Sequence, residues 1–367
     1  MKPTLSILDP SPIFEGRSAA AALNETRALA QAADAMNYRA YWVQEHHNAS
    51  SFAGTTPEVL MADLAARTSR IALGSGGIML PNYSPLKVAE WGQTLAQLYP
   101  GRIEIGLGRA TGADPRASAA LLGPGGQNFP TMLRMLMDWM LDASGEAHFP
   151  DNHRARGIAA NPSGPRPDLW MLCSSPASAA FAGQMGVKLA FADFLNPGGA
   201  IDALDASHDA FEPSPLCAEP YAGVGLVVLA AETEAEADRL AAPIRAWALG
   251  RATGKFKPYL DTDAALDALH RAPLEPPQRG IIGTGETVAQ RLLQTAQDSH
   301  ASEFFLLSIT DNLETRINSY RLIEQAMSNI TAVSAYPPVK GSTHLRLIAC
   351  SAPVPTQTRH RDGWHHP

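Results

Sequence analysis

Cysteine is scarce in this chain, and the scarcity excludes several chemistries at once. Only Cys173, Cys217 and Cys350 occur, far apart, odd in number and without CxxC or Cys/His spacing. A disulfide framework and a thiolate zinc site are therefore not expected, and the usage fits a reducing cytoplasm. No run of lysine and arginine offers a footprint for nucleic acid or for an anionic membrane. No stretch approaches the roughly 18 uninterrupted apolar residues that a membrane span needs. The opening MKPTLSILDPSP has one lysine and no apolar core, so no signal peptide is expected. Charge is modest too: 18% of the 367 residues are charged, for a formal net charge of -7, against 45% apolar. That balance implies a large buried core, and the acidity bears on solubility alone.

What is present is a repeated alternation of a short β-type run, a turn and an amphipathic helix. Strands are expected at 5–8, 39–44, 71–80, 102–107, 168–173, 188–192, 223–229 and 303–308. Helices are expected between them at about 19–36, 57–68, 86–98, 132–141, 178–185, 200–211, 233–248, 287–297 and 312–327. Thr56 reads as an N-cap with Pro57 in the first helical position. The Gly/Pro-rich stretch 112–130 reads as a long loop and 250–279 as an insertion. Eight βα units with nearly continuous apolar strands predict an α/β protein with a closed parallel barrel. This is a (β/α)8 TIM barrel with insertions after strands four and seven. An open doubly wound sheet usually carries a glycine fingerprint after its first strand, and DPSPIFEG is not one. Residues 1–329 are assigned to the barrel as one domain, and 330–367, rich in Pro, Thr, His and Arg, to a mobile tail.

In such a barrel, chemistry gathers at the C-terminal ends of the strands. Strand two ends in Glu45-His46-His47-Asn48, a run of ionisable groups that packing explains poorly. A histidine there can give or take a proton at cellular pH, or it can merely cap a helix or bond a carboxylate. Neighbours on a strand point to opposite sides, so at most one histidine of the pair is expected to face the mouth. A metal pair is not expected, because adjacent ligands on a strand diverge and no third ligand is evident. Strand three ends in Gly74-Ser75-Gly76-Gly77, where absent side chains permit close approach of a flat ligand, or else a bulge or a tight interior layer.

Strand four runs into Gly106-Leu107-Gly108-Arg109. Small residues around one arginine suit an anion such as phosphate, an ordinary surface arginine being the alternative. Strand five enters a helix through Cys173-Ser174-Ser175-Pro176-Ala177-Ser178, whose hydroxyls and free N–H groups offer a phosphate site or a plain N-cap. Cys173 reads as a small apolar strand residue, and no GxSxG elbow surrounds Ser175. A proton-active histidine, a glycine floor, an arginine and a hydroxyl cluster on one rim are what a phosphorylated planar cofactor would use.

The stretches YWVQEHHN, PEVLMADLAARTSRIALGSGGIMLPNYSPLKVAE, LYPGRIEIGLGRATG and MLCSSPASAAFAGQMG, with the late GTGETVAQRL and YRLIEQAM segments, resemble the bacterial-luciferase-like, flavin-utilising monooxygenase family. The resemblance covers most of residues 4–329 and is strongest over 40–110. It implies that His46 matches the catalytic histidine of luciferase α chains. It places Gly76 and Gly77 where the family has a cis peptide beneath the flavin ring, and Arg109, Ser175 and Ser178 at flavin-phosphate positions. Glu45, Ser75 and Ser174 are further cofactor-site positions by the same resemblance. Two departures, Gly108 at the reactive-cysteine position and Ser174 in place of an acidic residue, argue against light emission but leave flavin binding intact.

The implied function is an oxidoreductase of the paired-donor type. It would use reduced FMN as co-substrate with O2, through a flavin C4a-hydroperoxide, on a small organic molecule. No nicotinamide fingerprint is visible, so a separate flavin reductase is expected as partner, and a homodimer is compatible with the family. Two alternatives stay open: hydride transfer with the deazaflavin F420, and a non-catalytic flavin-binding subunit. The resemblance is weakest over 112–130 and 250–279, which are expected to carry substrate specificity.

Overall fold

The eight expected βα units close on themselves. The computed structural model describes residues 2–122, 128–252, 257–276 and 280–334. Its strands are β1 (Thr4–Asp9), β2 (Ala40–Val43), β3 (Ala72–Ser75), β4 (Ile78–Met79), β5 (Ile103–Gly108), β6 (Asp168–Cys173), β7 (Lys188–Ala192), β8 (Ala222–Ala231), β9 (Ile281–Thr284) and β10 (Glu303–Leu307). All pairings between them are parallel, and β10 bonds both β1, at Thr4 opposite Glu303, and β8, at Phe304 opposite Val224, which seals the ring. β4 continues β3 along β5, and β9 extends the far end of β8. Every residue of β5 and β10 is buried, as expected for strands covered by helices outside and packed side chains inside.

The helices are α1 (Ala19–Ala35), α2 (Pro57–Ala65), α3 (Pro85–Leu98), α4 (Pro115–Leu122), α5 (Phe129–Ser144), α6 (Pro176–Gln184), α7 (Ala200–Asp209), α8 (Glu234–Leu240), α9 (Ala242–Ala252), α10 (Thr262–His270), α11 (Gly285–Ser299) and α12 (Leu313–Ser334). Among the described residues no helix is long and apolar enough to cross a membrane.

Several expectations need correction. The third strand is broken between β3 and β4, where the Gly76-Gly77 peptide is cis. The stretch expected as a loop holds α4, started by Pro115 and by the Asp114 carboxylate, which accepts from the Arg116 and Ala117 amides at 2.8 and 3.2 Å; residues 123–127 lie outside the described ones. The single helix expected at 233–248 is two, because Pro243 lacks the amide a continuous helix would need and instead sits in the first turn of α9. The 250–279 insertion contains α10, and β9 was not foreseen. Thr56 precedes α2, but its hydroxyl makes no capping bond. Helix α12 runs on to Ser334, past the 312–327 expected for the closing helix, and residues 335–367 of the expected tail lie outside the described ones.

The barrel is plugged from within. The Trp42 ring packs against Phe305 at 4.0 Å and edge-on against Trp170 at 5.2 Å, and its Nε1 donates to Glu104 Oε2 at 2.7 Å. Below it, Arg39 bridges Glu104 and Glu303, at 2.5 and 2.6 Å. At the other end of β1, the fully buried Asp9 accepts from Arg316 Nη2 of α12 at 2.8 Å, from the Ser11 amide, and from the Thr26 and Tyr41 hydroxyls. With its lower half filled, the barrel leaves its C-terminal mouth for chemistry.

Candidate active site

His46 and His47 lie beyond the end of β2, in irregular backbone where strand alternation no longer applies, yet their side chains part company. His47 Nε2 lies 2.7 Å from Glu45 Oε1. Glu45 is itself fully buried and also accepts from the Met79 amide and from Asn82 Nδ2, both at 2.9 Å. The Glu45 carboxylate thus ties the chain after β2 to β4 and the turn beyond it.

His46 turns the other way. Its amide donates to Gly54 O at 2.9 Å, and its ring stacks on Phe52 with centroids 4.2 Å apart. The residue as a whole is only partly buried, yet Nδ1 is sealed from solvent and has no hydrogen-bond partner. An unpaired buried polar atom of this kind costs about 1–3 kcal/mol unless a ligand satisfies it. Burial, and then the charges of Arg251 and His47, push the imidazole pKa down to about 4, so the ring is neutral at physiological pH.

The glycine run has a packing explanation as well as a functional one. A Cβ on Gly76 would lie 2.6 Å from Leu8 Cδ1, and one on Gly77 would lie 2.7 Å from the Gly106 carbonyl oxygen. Side chains are therefore excluded there by the barrel itself, and the backbone at that level is bare. Ser75 is fully buried, its hydroxyl donating to Gly106 O at 2.9 Å and accepting from Gly106 N at 3.0 Å. Like Glu45, it spends its side chain on protein partners.

Two strands round the ring from β2, Arg109 is exposed after β5 and has no hydrogen bond or ion pair among the described residues. Its charge reaches Cys173 at the end of β6. Ser175 is the N-cap of α6 and accepts from the Ser178 amide, while the Ser175 and Ser178 hydroxyls lie 3.0 Å apart. Ser174 is exposed, and its carbonyl accepts from Asn196 Nδ2 at 3.2 Å. A free guanidinium beside a hydroxylated helix N-terminus fits a phosphate group. Burial drives the Cys173 thiol up to about 12, so it stays protonated and offers no nucleophile.

Sequence reasoning missed the wall around His46. Phe52 packs edge-on against Trp247 of α9 at 5.7 Å, and Trp247 stacks on the fully buried Tyr259 at 5.3 Å. Trp247 Nε1 donates to Ser51 Oγ at 2.9 Å, which holds α9 over the mouth. One turn further, the Arg251 guanidinium lies 5.8 Å from the Trp247 ring centroid. The four-residue spacing of Trp247 and Arg251 was a readable signal, because it puts both on one face of a helix.

The profile of the luciferase-like monooxygenase family matches residues 4–303. Among relatives, YwcH of Bacillus subtilis (strain 168) is 38% identical over 336 residues, 89% of this chain and 99% of YwcH. The N-acetyl-S-alkylcysteine monooxygenase of the same strain is 34% identical over 334 residues, 88% of this chain and 98% of its own. The crystal structure of apo-MsnO8 superposes with a TM-score of 0.81 at 32% identity, covering 89% of this chain and 97% of the other. Two more distant structures share the fold alone. They are the oxygenating constituent of 3,6-diketocamphane monooxygenase from Pseudomonas putida in complex with FMN (20%, TM-score 0.67, 90% and 99% covered) and an F420-dependent secondary alcohol dehydrogenase (16%, TM-score 0.60, 89% and 99% covered). The barrel, the family profile and these relatives together make this chain a member of the luciferase-like monooxygenase family, and by that membership an oxidoreductase.

Proposed function

We propose that the protein is a flavin-dependent monooxygenase that takes reduced FMN from a separate reductase and oxygenates a small organic substrate. The observation that carries this reading is the free Arg109 guanidinium beside the α6 N-terminus, on the same rim as a sealed, unpartnered histidine nitrogen. A relative named as a monooxygenase and a structure of the same fold with FMN bound support it.

When bound, reduced FMN supplies two electrons to O2, so that one oxygen atom enters the substrate and the other leaves as water. The chain's own residues do the rest. Arg109 and the amides and hydroxyls of Ser175 and Ser178 hold the phosphate. The bare backbone at Gly76 and Gly77 lets a flat ring approach closely. Glu45 and Ser75 hold the walls to either side. His46, neutral at pH 7, can accept a proton at Nδ1 or donate a hydrogen bond from it, according to tautomer. Phe52 and Trp247 line the approach with apolar surface and exclude water.

The test loads the protein anaerobically with reduced FMN or with reduced F420, then admits oxygen and follows cofactor reoxidation against the same cofactor free in solution. Anaerobic binding of reduced FMN, with a reoxidation course that differs from that of free reduced FMN, is the expected result. Oxygen-independent oxidation of reduced F420 would move the protein to hydride transfer. Tight flavin binding without any reaction would make it a flavin-holding subunit.

A further inference from the structure

We propose that the substrate is an organic anion with an apolar body, and that Arg251 receives its carboxylate while Phe52 and Trp247 hold the rest. This rests on reading the mouth as a flavin-oxygenation site.

Three observations converge on it. First, Arg251 is exposed in the last turn of α9 with its guanidinium against the Trp247 ring, and no carboxylate pairs with it among the described residues. Second, Arg251, Trp247, Phe52 and His46 form one continuous contact chain, with successive separations of 5.8, 5.7 and 4.2 Å. The guanidinium therefore belongs to the same wall as the sealed Nδ1, and its charge acts on His46. Third, the phosphate read at the mouth already has an arginine of its own. Arg109 sits after β5 with its charge reaching the end of β6, on a different part of the ring from β2. The phosphate read there is therefore served from a different part of the ring than the wall that carries Arg251.

An arginine stacked on an indole presents its remaining N–H groups in a fork that matches a carboxylate with two bonds. The indole and phenyl faces beside it reward apolar surface. A neutral histidine tolerates the nearby cation, where a protonated one would repel it.

The probes are phenylacetate and phenylacetamide, which share shape and differ in charge, titrated calorimetrically into the full-length protein and its R251Q variant. Arg251 is exposed, so the variant is expected to fold. The wild type should bind phenylacetate at least tenfold more tightly than phenylacetamide, and R251Q should bring the two within about twofold. Reduced-FMN affinity, measured in parallel, should be the same for both proteins. Equal affinities in the wild type, no binding of either probe, or a preference surviving in R251Q would overturn the proposal. Loss of reduced-FMN affinity in R251Q would also overturn it, by assigning Arg251 to the cofactor. A phenylacetate preference that needs Arg251 in a protein binding no reduced FMN would uphold the anion site and overturn the flavin reading.

Discussion

The rings of His46 and Phe52 lie nearly face to face, six residues apart in sequence, with centroids 4.2 Å apart and planes 26° from parallel. The contact places an ionisable group against an apolar surface at the barrel mouth. Burial is the largest cause of its low pKa, ahead of Arg251 and His47.

That arrangement has a pH signature. The unfolded chain protonates His46 near 6.5, but the folded protein only near 4. Between those values the unfolded state binds the extra proton, so the histidine's contribution is intact above about pH 6.5 and stability is lost as the pH falls towards 4. Urea unfolding at pH 7 and pH 5 should therefore show a larger drop for the wild type than for H46Q. Parallel losses in the two proteins would place the imidazole in water.

Replacing the two histidines should give different phenotypes. H46A is expected to leave reduced-FMN affinity within roughly 1 kcal/mol while cutting turnover by about 10²–10⁴-fold, as loss of a general acid or base does. H47A removes a bond to the buried Glu45 carboxylate, so it should lower the melting temperature first and activity second. Steady-state kinetics beside thermal melts separates the two; a fully active H46A with an inactive H47A would reverse the roles.

The buried pair of Asp9 and Arg316 should dominate the anchoring of α12. Burial raises the Asp9 pKa, but Arg316 and the Tyr41 and Thr26 hydroxyls more than offset it and hold the carboxyl below its usual range. R316M would leave that carboxylate buried without its counter-charge, at a cost of about 3–5 kcal/mol. Chemical denaturation should show a loss of that size, and a loss below about 1 kcal/mol would mean that water reaches Asp9.

The barrel was legible because continuous apolar strands and amphipathic helices are local patterns. Its rim was legible because strand ends such as EHHN and GLGR break those patterns with groups that packing does not want. Other features depended on tertiary contacts. Nothing local marks four-residue β9 as a strand, since its partner is the far end of β8. The inward turn of Glu45 depends on donors 34 and 37 residues away, at Met79 and Asn82. The aromatic wall joins Phe52 to Trp247 and Tyr259, about 200 residues later, through a helix that the sequence read as one with α8. Asp114-Pro115, which starts α4, Pro243, which parts α9 from α8, and the Trp247/Arg251 spacing were local signals left unread.

The central claim is that Arg109, with Ser175 and Ser178, holds the phosphate of reduced FMN at the barrel mouth. Anaerobic titration of the wild type and R109A with reduced FMN tests it most directly. The variant should bind more weakly by about 1.5–3 kcal/mol, the worth of a charge-assisted hydrogen bond, with an unchanged melting temperature in the absence of flavin. Equal affinity in the two proteins, or no binding to the wild type, would contradict the account.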